Sequence, residues 1–296
     1  MPTIEYIPKR FGATTLAIIE QANAIIAEYT ADGYKLTLRQ LYYQFVSRDL
    51  IANKQSEYKR LGSIINDARL AGMIDWLAIE DRTRNIVRQP AWDSEASIVR
   101  ACADQFAMDK WADQDIRPQV WIEKEALAGV VERPCRELNI SYFCCRGYVS
   151  QSEMWDAAQR LVITARNGQT PFILYFGDHD PSGIDMTRDI VDRIAMFAGE
   201  HTVRLKRMAL NFDQIEQYSP PPNPAKQTDS RFDAYTVLHG DQSWELDALD
   251  PKTIGDLIRD EIESVRDAKK WNAICERELR GRAELSKVAD KLEMMQ

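Results

Sequence analysis

PFILYFGDHDPSGIDM, residues 171–186, is the stretch from which the fold can be read. Phe172–Phe176 is an apolar, β-rich run that breaks off at Gly177 into two aspartates, Asp178 and Asp180, before a helical pattern begins at Ile184 and continues to Ala198. The same arrangement recurs on either side. Val120–Ile122 and Ile140–Cys145 are further short apolar runs, Val203–Leu210 is a weaker fourth, and helical segments lie at Ala126–Leu138 and Gln151–Asn167. Strands alternating with helices predict parallel βαβ units, hence an α/β fold with a mainly parallel sheet flanked by helices. In such sheets functional groups gather at the carboxyl ends of the strands.

The chain upstream of this region has a different pattern. Residues 13–31 repeat apolar side chains at three and four: Leu16, Ile19, Ala22, Ile25, Ile26, Tyr29. Thr37 opens a second helix with the stripe Leu38, Leu41, Tyr42, Phe45, Val46. A third runs from about Ser56 to Gly72, and the apolar Trp76–Ile79 and the charged EDRTR (80–84) follow it. Three helices, a strand and a charged hairpin predict a winged helix-turn-helix, although many three-helix domains bind no DNA. The expected division is a winged-helix domain over 1–100 and an α/β domain with a C-terminal helical extension over 115–296, with SPPPNP (219–224) as a loop.

Of the 296 residues, 45% are apolar and 28% charged, ordinary values for a soluble globular protein. No apolar run reaches the length of a membrane span, and MPTIEYIPKRFG at the N-terminus has no signal-peptide core. The five cysteines (102, 135, 144, 145, 275) lack zinc-site spacing and are odd in number, so a reducing, cytoplasmic setting without membrane association is expected. The net charge is −8, yet residues 35–88 carry ten basic and six acidic side chains. An acidic protein with one basic segment can bind nucleic acid through that segment, and an uneven surface charge without function is the alternative.

Two strand ends carry acids: Glu123 within VWIEKEAL (120–127), and Asp178 and Asp180. Period-two alternation would point the two aspartates the same way, with Glu123 facing them from a neighbouring strand. Three carboxylates in one crevice repel each other unless a cation neutralises them, and hard oxygen ligands suit Mg²⁺ or Mn²⁺. A β-turn built from Asp, Pro, Ser and Gly is the plain alternative. His179, between the aspartates, is expected to point away and pack.

Together these segments resemble one family. Glu123 followed far downstream by Asp178-His179-Asp180 resembles the Toprim domain of topoisomerases and primases. TLRQLYYQF (37–45) resembles the tyrosine-bearing segment of the topoisomerase VI A subunit and its meiotic double-strand-break relative, in which a winged helix precedes a Toprim domain. WIEKEAL (121–127), Arg146-Gly147-Tyr148 and GDHDPSGIDM (177–186) resemble further segments of that branch, so the likeness spans roughly residues 35 to 260. The chain is shorter than a full A subunit and looks like the compact stand-alone homologues of phages and mobile elements. It has no P-loop and no readable GHKL-type ATP site, so a separate GHKL-type ATPase subunit would have to supply ATP-driven strand passage.

Helical geometry separates the paired tyrosines. Tyr42 belongs to the apolar stripe, whereas Tyr43 is rotated about 100° from it and shares a face with Arg39, one turn earlier. The resemblance selects the same residue, because the family's tyrosine is the second of a pair and follows an arginine by four. A phenol of pKa near ~10 is a weak nucleophile at neutral pH. Arg39 would stabilise phenolate and pentacovalent charge, and a metal on Glu123, Asp178 and Asp180 would bind phosphate oxygens. The resemblance further implies a 5′-phosphotyrosyl product on double-stranded DNA and a homodimer in which the tyrosine of one subunit works against the acids of the other. Lys59, Arg60, Arg82 and Arg84 are candidate DNA contacts. Glu245 and Asp247 in SWELDAL (243–249) could add an acidic group or border a helix and are read as structural, and Trp155 and Trp244 read as core. A metal-dependent nuclease that does not use the tyrosine, and a non-catalytic DNA-binding protein, remain open on the same scaffold.

Overall fold

The computed structural model describes residues 3–80, 91–200 and 202–295. Four strands form one parallel sheet in the order β2-β1-β3-β4, where β1 is Ile116–Ile122, β2 Ser141–Cys144, β3 Thr170–Phe176 and β4 Arg204–Ala209. All four expected runs are strands, joined by the expected helices. These are α5 (Ala128–Glu137), α6 (Gln151–Arg166) and α7 (Pro181–Ala198), which follow α1 (Ala13–Ala31), α2 (Leu38–Ser47), α3 (Gln55–Leu70) and α4 (Glu95–Gln105) in the chain.

Alternation along the strands explains the layers. Val120, Ile122, Phe172, Leu174 and Phe176 face one side and pack with Val130 and Val131 of α5. Ile254, Ile258 and Ile262 of α10 (Pro251–Val265), which follows the short α8 (Phe212–Tyr218) and α9 (Phe232–His239), complete that layer. Trp121, Ile173 and Tyr175 face the other side, against Met154 and Leu161 of α6 and Ile190 of α7. A sheet covered on both faces needs apolar residues at consecutive positions, and this is why the runs are unbroken. The chain leaves β1 toward β2 on one side, then returns to place β3 on the other. A crevice therefore opens at the carboxyl ends of β1 and β3, at the switch point where ligands bind in open α/β sheets.

The N-terminal helices are α1 (Ala13–Ala31), α2 (Leu38–Ser47) and α3 (Gln55–Leu70). Thr37 caps α2 in a reciprocal box with Gln40. Ile19, Ile25, Leu41, Phe45, Leu61 and Ile65 form their core, and Ala248 from a 3₁₀ turn at Leu246–Ala248 enters the same cluster. The helical core is thus pinned to a segment that lies far downstream in the chain.

Two expectations are corrected. Trp76–Ile79 is not a strand but a turn with an isolated bridge from Leu36 to Ile79. Its cause is Asp75, whose carboxylate accepts from Leu77 N at 2.8 Å and whose carbonyl accepts from Ala78 N at 3.2 Å, a side-chain-initiated turn that competes with extended backbone. The expected hairpin, with Arg82 and Arg84, lies outside the described residues. Trp155 is 50% exposed, because it lies one residue round α6 from the buried Met154; Trp244 is buried as expected. Among the described residues no helix is long and apolar enough to cross a membrane. α4 (Glu95–Gln105) is joined to the C-terminal α11 (Ala268–Glu293) by ion pairs from Arg100 to Asp290 and Glu293, both at 2.9 Å.

Leu174→Ala, at the centre of β3, is expected to lower unfolding free energy by about 2–5 kcal/mol in urea titration, since the side chain is fully buried between layers. Val237→Ala, on an exposed helical surface, should change it by less than about 0.5 kcal/mol.

Candidate active site

β1 and β3 end level, with Ile122 opposite Phe176, so Glu123 and Gly177 leave the sheet side by side. Glu123 N donates to Phe176 O at 2.9 Å, and Asp178 N donates to Glu123 Oε2 at 2.8 Å. A Cβ on Gly177 would lie 2.8 Å from Tyr175 Oη and 3.0 Å from Glu123 Oε2, so only glycine fits between them. Gly183 is equally constrained: a Cβ there would come within 2.3 Å of Asp178 O. Arg207, half-buried on β4, clamps this loop. Its Nη2 donates to Gly177 O at 3.1 Å and Asp178 O at 2.6 Å, and its Nη1 donates to Gly183 O at 3.1 Å.

The two aspartates diverge. Asp178 Oδ1 accepts from Leu246 N at 2.8 Å, and its Oδ2 lies 2.8 Å from Lys124 Nζ. Asp180 Oδ1 accepts from Gly183 N at 2.6 Å and Ser182 Oγ at 3.0 Å, capping α7. Period-two alternation holds only while backbone stays extended, and the open N–H groups of a helix start draw the second carboxylate away. The structure therefore joins Glu123 to Asp178 but turns Asp180 into a cap. His179 packs as expected: it is buried, with the His239 ring centroid at 4.7 Å and Nδ1 2.9 Å from Tyr235 Oη.

Beyond Asp178 the site extends through Lys124, which the sequence left unassigned, and through Glu245 and Asp247, which it read as structural. Lys124 Nζ lies 2.8 Å from Asp178 Oδ2, 2.8 Å from Asp247 Oδ1 and 3.0 Å from Glu245 Oε2. Glu245 Oε2 also binds Arg39 Nη2, and Asp247 Oδ2 is 2.5 Å from Arg39 Nε. The latter contact is ionic and does not meet hydrogen-bond geometry. Arg39 Nη2 in turn reaches Tyr43 Oη at 3.5 Å. A continuous charged path thus runs from Asp178 at the sheet edge to Tyr43 on α2. Tyr43 is 4% exposed and joins the helical core beside the 245–247 turn, whereas Arg39 on the same face pairs with that turn and keeps 44% of its side chain exposed. Tyr42 is core, as expected, with its hydroxyl donating to Asn53 Oδ1 at 3.0 Å. Lys59 is exposed on α3, and Arg60 pairs there with Glu57 at 2.6 Å.

Protonation follows the geometry. Burial, and next the charge of Asp178, pushes the Glu123 carboxyl up to about 7. Burial likewise raises Asp178 to about 6, against the pull of Lys124. Burial opposes the Lys124 charge, but Asp247, Asp178 and Glu245 outweigh it and hold the ammonium protonated. Glu245 is also opposed by burial, yet Lys124 and Arg39 carry its carboxyl down to about 2. Burial, then Asp247 and Glu245, raise the Tyr43 phenol above its ordinary value, while Arg39 and Lys124 act in the opposite sense.

Among the described residues no group of three or more His, Cys, Asp or Glu is arranged to hold a metal ion. Two observations nevertheless fit a hard cation at Glu123 and Asp178. Both carboxyls are raised, the condition a cation relieves. Tyr175 Oη is buried without a hydrogen-bond partner, packed close to Gly177 and Glu123. No protein-family model, no curated protein and no solved structure matches the chain.

Sequence reasoning missed Lys124 and favoured a structural role for Glu245 and Asp247, because their pairing spans more than a hundred residues. The available signal was a lysine beside a strand-end glutamate, together with a second acid-x-acid in SWELDAL.

The raised carboxyls set a pH dependence. A group whose folded pKa exceeds its unfolded value binds more protons in the native state, so wild type loses stability as pH rises through about 6–7. In chelator-treated buffer, Glu123→Gln is expected to be more stable than wild type at pH 8, with the gain shrinking toward pH 5. Urea unfolding at both pH values measures it. An equal difference at both would mean that the Glu123 charge is not strained.

Proposed function

We propose that this chain cleaves double-stranded DNA by transesterification through Tyr43, in the manner of the type IIB topoisomerase A subunits its sequence resembles, with a winged-helix unit carrying the tyrosine and a Toprim unit carrying the acids. The observation that supports this is the path Tyr43–Arg39–Glu245/Asp247–Lys124–Asp178, which links a tyrosine to strand-end carboxylates across the fold.

Each residue has a task in this reading. Tyr43 attacks a backbone phosphorus and takes the 5′-phosphate as an ester, releasing a 3′-OH. Its raised pKa keeps the phenol protonated at rest, so its proton must leave as the bond forms. Arg39 faces the hydroxyl and stabilises the phenolate and the charge on the pentacovalent phosphorus. Glu123 and Asp178 are the residues to hold Mg²⁺ or Mn²⁺, with Asp180 joining only by giving up its cap. When bound, such an ion supplies Lewis-acid stabilisation of phosphate oxygens. Lys59, exposed on α3, would touch the DNA backbone. Two copies in a homodimer would cut both strands, and strand passage would call on a separate GHKL-type ATPase subunit.

The deep burial of Tyr43 favours one second reading, a metal-dependent nuclease in which Glu123 and Asp178 serve water and the tyrosine is dispensable. A denaturing gel of end-labelled duplex incubated with Mg²⁺ separates the two. Wild type is expected to give a protein–DNA adduct that Tyr43→Phe abolishes without loss of fold, since that hydroxyl makes one long contact at 3.5 Å. Tyr42→Phe should retain the adduct and lose about 1 kcal/mol of stability with its bonds to Asn53 and Lys54. Free nicked ends from Tyr43→Phe would instead establish the nuclease.

A further inference from the structure

Arg39 and Lys124 both act on the Tyr43 phenol, and both are held by one oxygen. Glu245 Oε2 sits between Arg39 Nη2 and Lys124 Nζ, the latter at 3.0 Å. A guanidinium and an ammonium converging on a single anionic oxygen beside a tyrosine hydroxyl is the arrangement that would bind a non-bridging phosphate oxygen. The two carboxylates on these cations differ. Asp247 is fixed, with its side chain 2% exposed, whereas Glu245 is 29% exposed and borders a cavity of about 210 Å³ lined also by Tyr42, Tyr43, Asn53, Lys54 and Asn223. At roughly 30 Å³ per water, that space accepts a phosphate group with part of its hydration.

We propose that Glu245 is a built-in stand-in for phosphate. Its carboxylate keeps Arg39 and Lys124 together and charged while the site is empty of nucleic acid, and a backbone phosphate of the duplex displaces it. Asp247 stays on both cations through the exchange, so the pair remains in place. One monoanion replaces another, and counterion release from the duplex tips the balance. This deepens the DNA-cleavage reading and rests on it. It adds Lys124 as a second phosphate-binding cation and makes Glu245 the competitor that limits non-productive binding.

The test is duplex affinity against salt concentration, without divalent ions so that cleavage plays no part. Glu245→Gln frees one positive charge and is expected to bind a 30-base-pair duplex about tenfold more tightly, with a salt dependence steeper by about one phosphate contact. Lys124→Gln is expected to bind about tenfold more weakly, with a dependence shallower by about one contact. Glu261→Gln also removes one acid, but beside Lys206 and Arg204 on β4, and should stay within about twofold of wild type. Folded Glu245→Gln protein with wild-type affinity and slope overturns the proposal. If that variant does not fold, unchanged affinity in Lys124→Gln overturns it. Inorganic phosphate, titrated calorimetrically, probes the stand-in without DNA: Glu245→Gln should show a site that wild type lacks, and no gain refutes the displacement. Wild type that binds no duplex, while Glu245→Gln gains the phosphate site, would sink the DNA reading alone.

Discussion

A half-buried ammonium holds the two parts of this molecule together. Lys124 Nζ stands within 3.0 Å of carboxylates from Asp178, Glu245 and Asp247. Without that charge three acids would face one another in a poorly solvated crevice, an arrangement that repels strongly. With it, the end of β1 is tied to the 245–247 turn. That turn in turn holds Arg39 of α2 and sends Ala248 into the helical core. Networks of this kind contribute orientation more than stability, because desolvating the charges offsets most of their attraction.

Apolar packing does the complementary work. The two faces of the sheet bury separate clusters, one against α5 and α10 and one against α6 and α7, and the N-terminal helices bury a third. These clusters give the body its rigidity without specifying which residue of α2 meets the sheet. The charge network does that, and it ties the Arg39 and Tyr43 end of the helix to the 245–247 turn. The result is a tyrosine shielded from water and linked to acids that lie at a switch point of the sheet. Backbone geometry adds its own constraint. Glu123 and Asp178 meet because β1 and β3 end in register, and because Gly177 leaves no side chain between them.

The residues whose local pattern carries information were read correctly. Unbroken apolar runs marked the four strands, three-and-four spacing marked α1 to α3, and a strand-end acid marked each of Glu123 and Asp178. Local pattern misled where a side chain captured the backbone. Asp75 turns the segment that reads as a strand at 76–79, and Asp180 is drawn into a helix cap in place of pairing with Asp178.

The sequence by itself determined the α/β class, the alternation of the four sheet strands with helices, and the helical phase that separates Tyr42 from Tyr43. Each depends on periodicity within a few consecutive residues, set by backbone geometry alone. Tertiary structure decided that Tyr43 is buried, that Asp178 pairs with Lys124, and that Glu245 and Asp247 belong to the site. Those facts depend on which distant segments pack together. The ion pairs concerned join residues 39, 124, 178, 245 and 247, and a carboxylate shows its partner only when folding has brought a cation within about three ångströms of it.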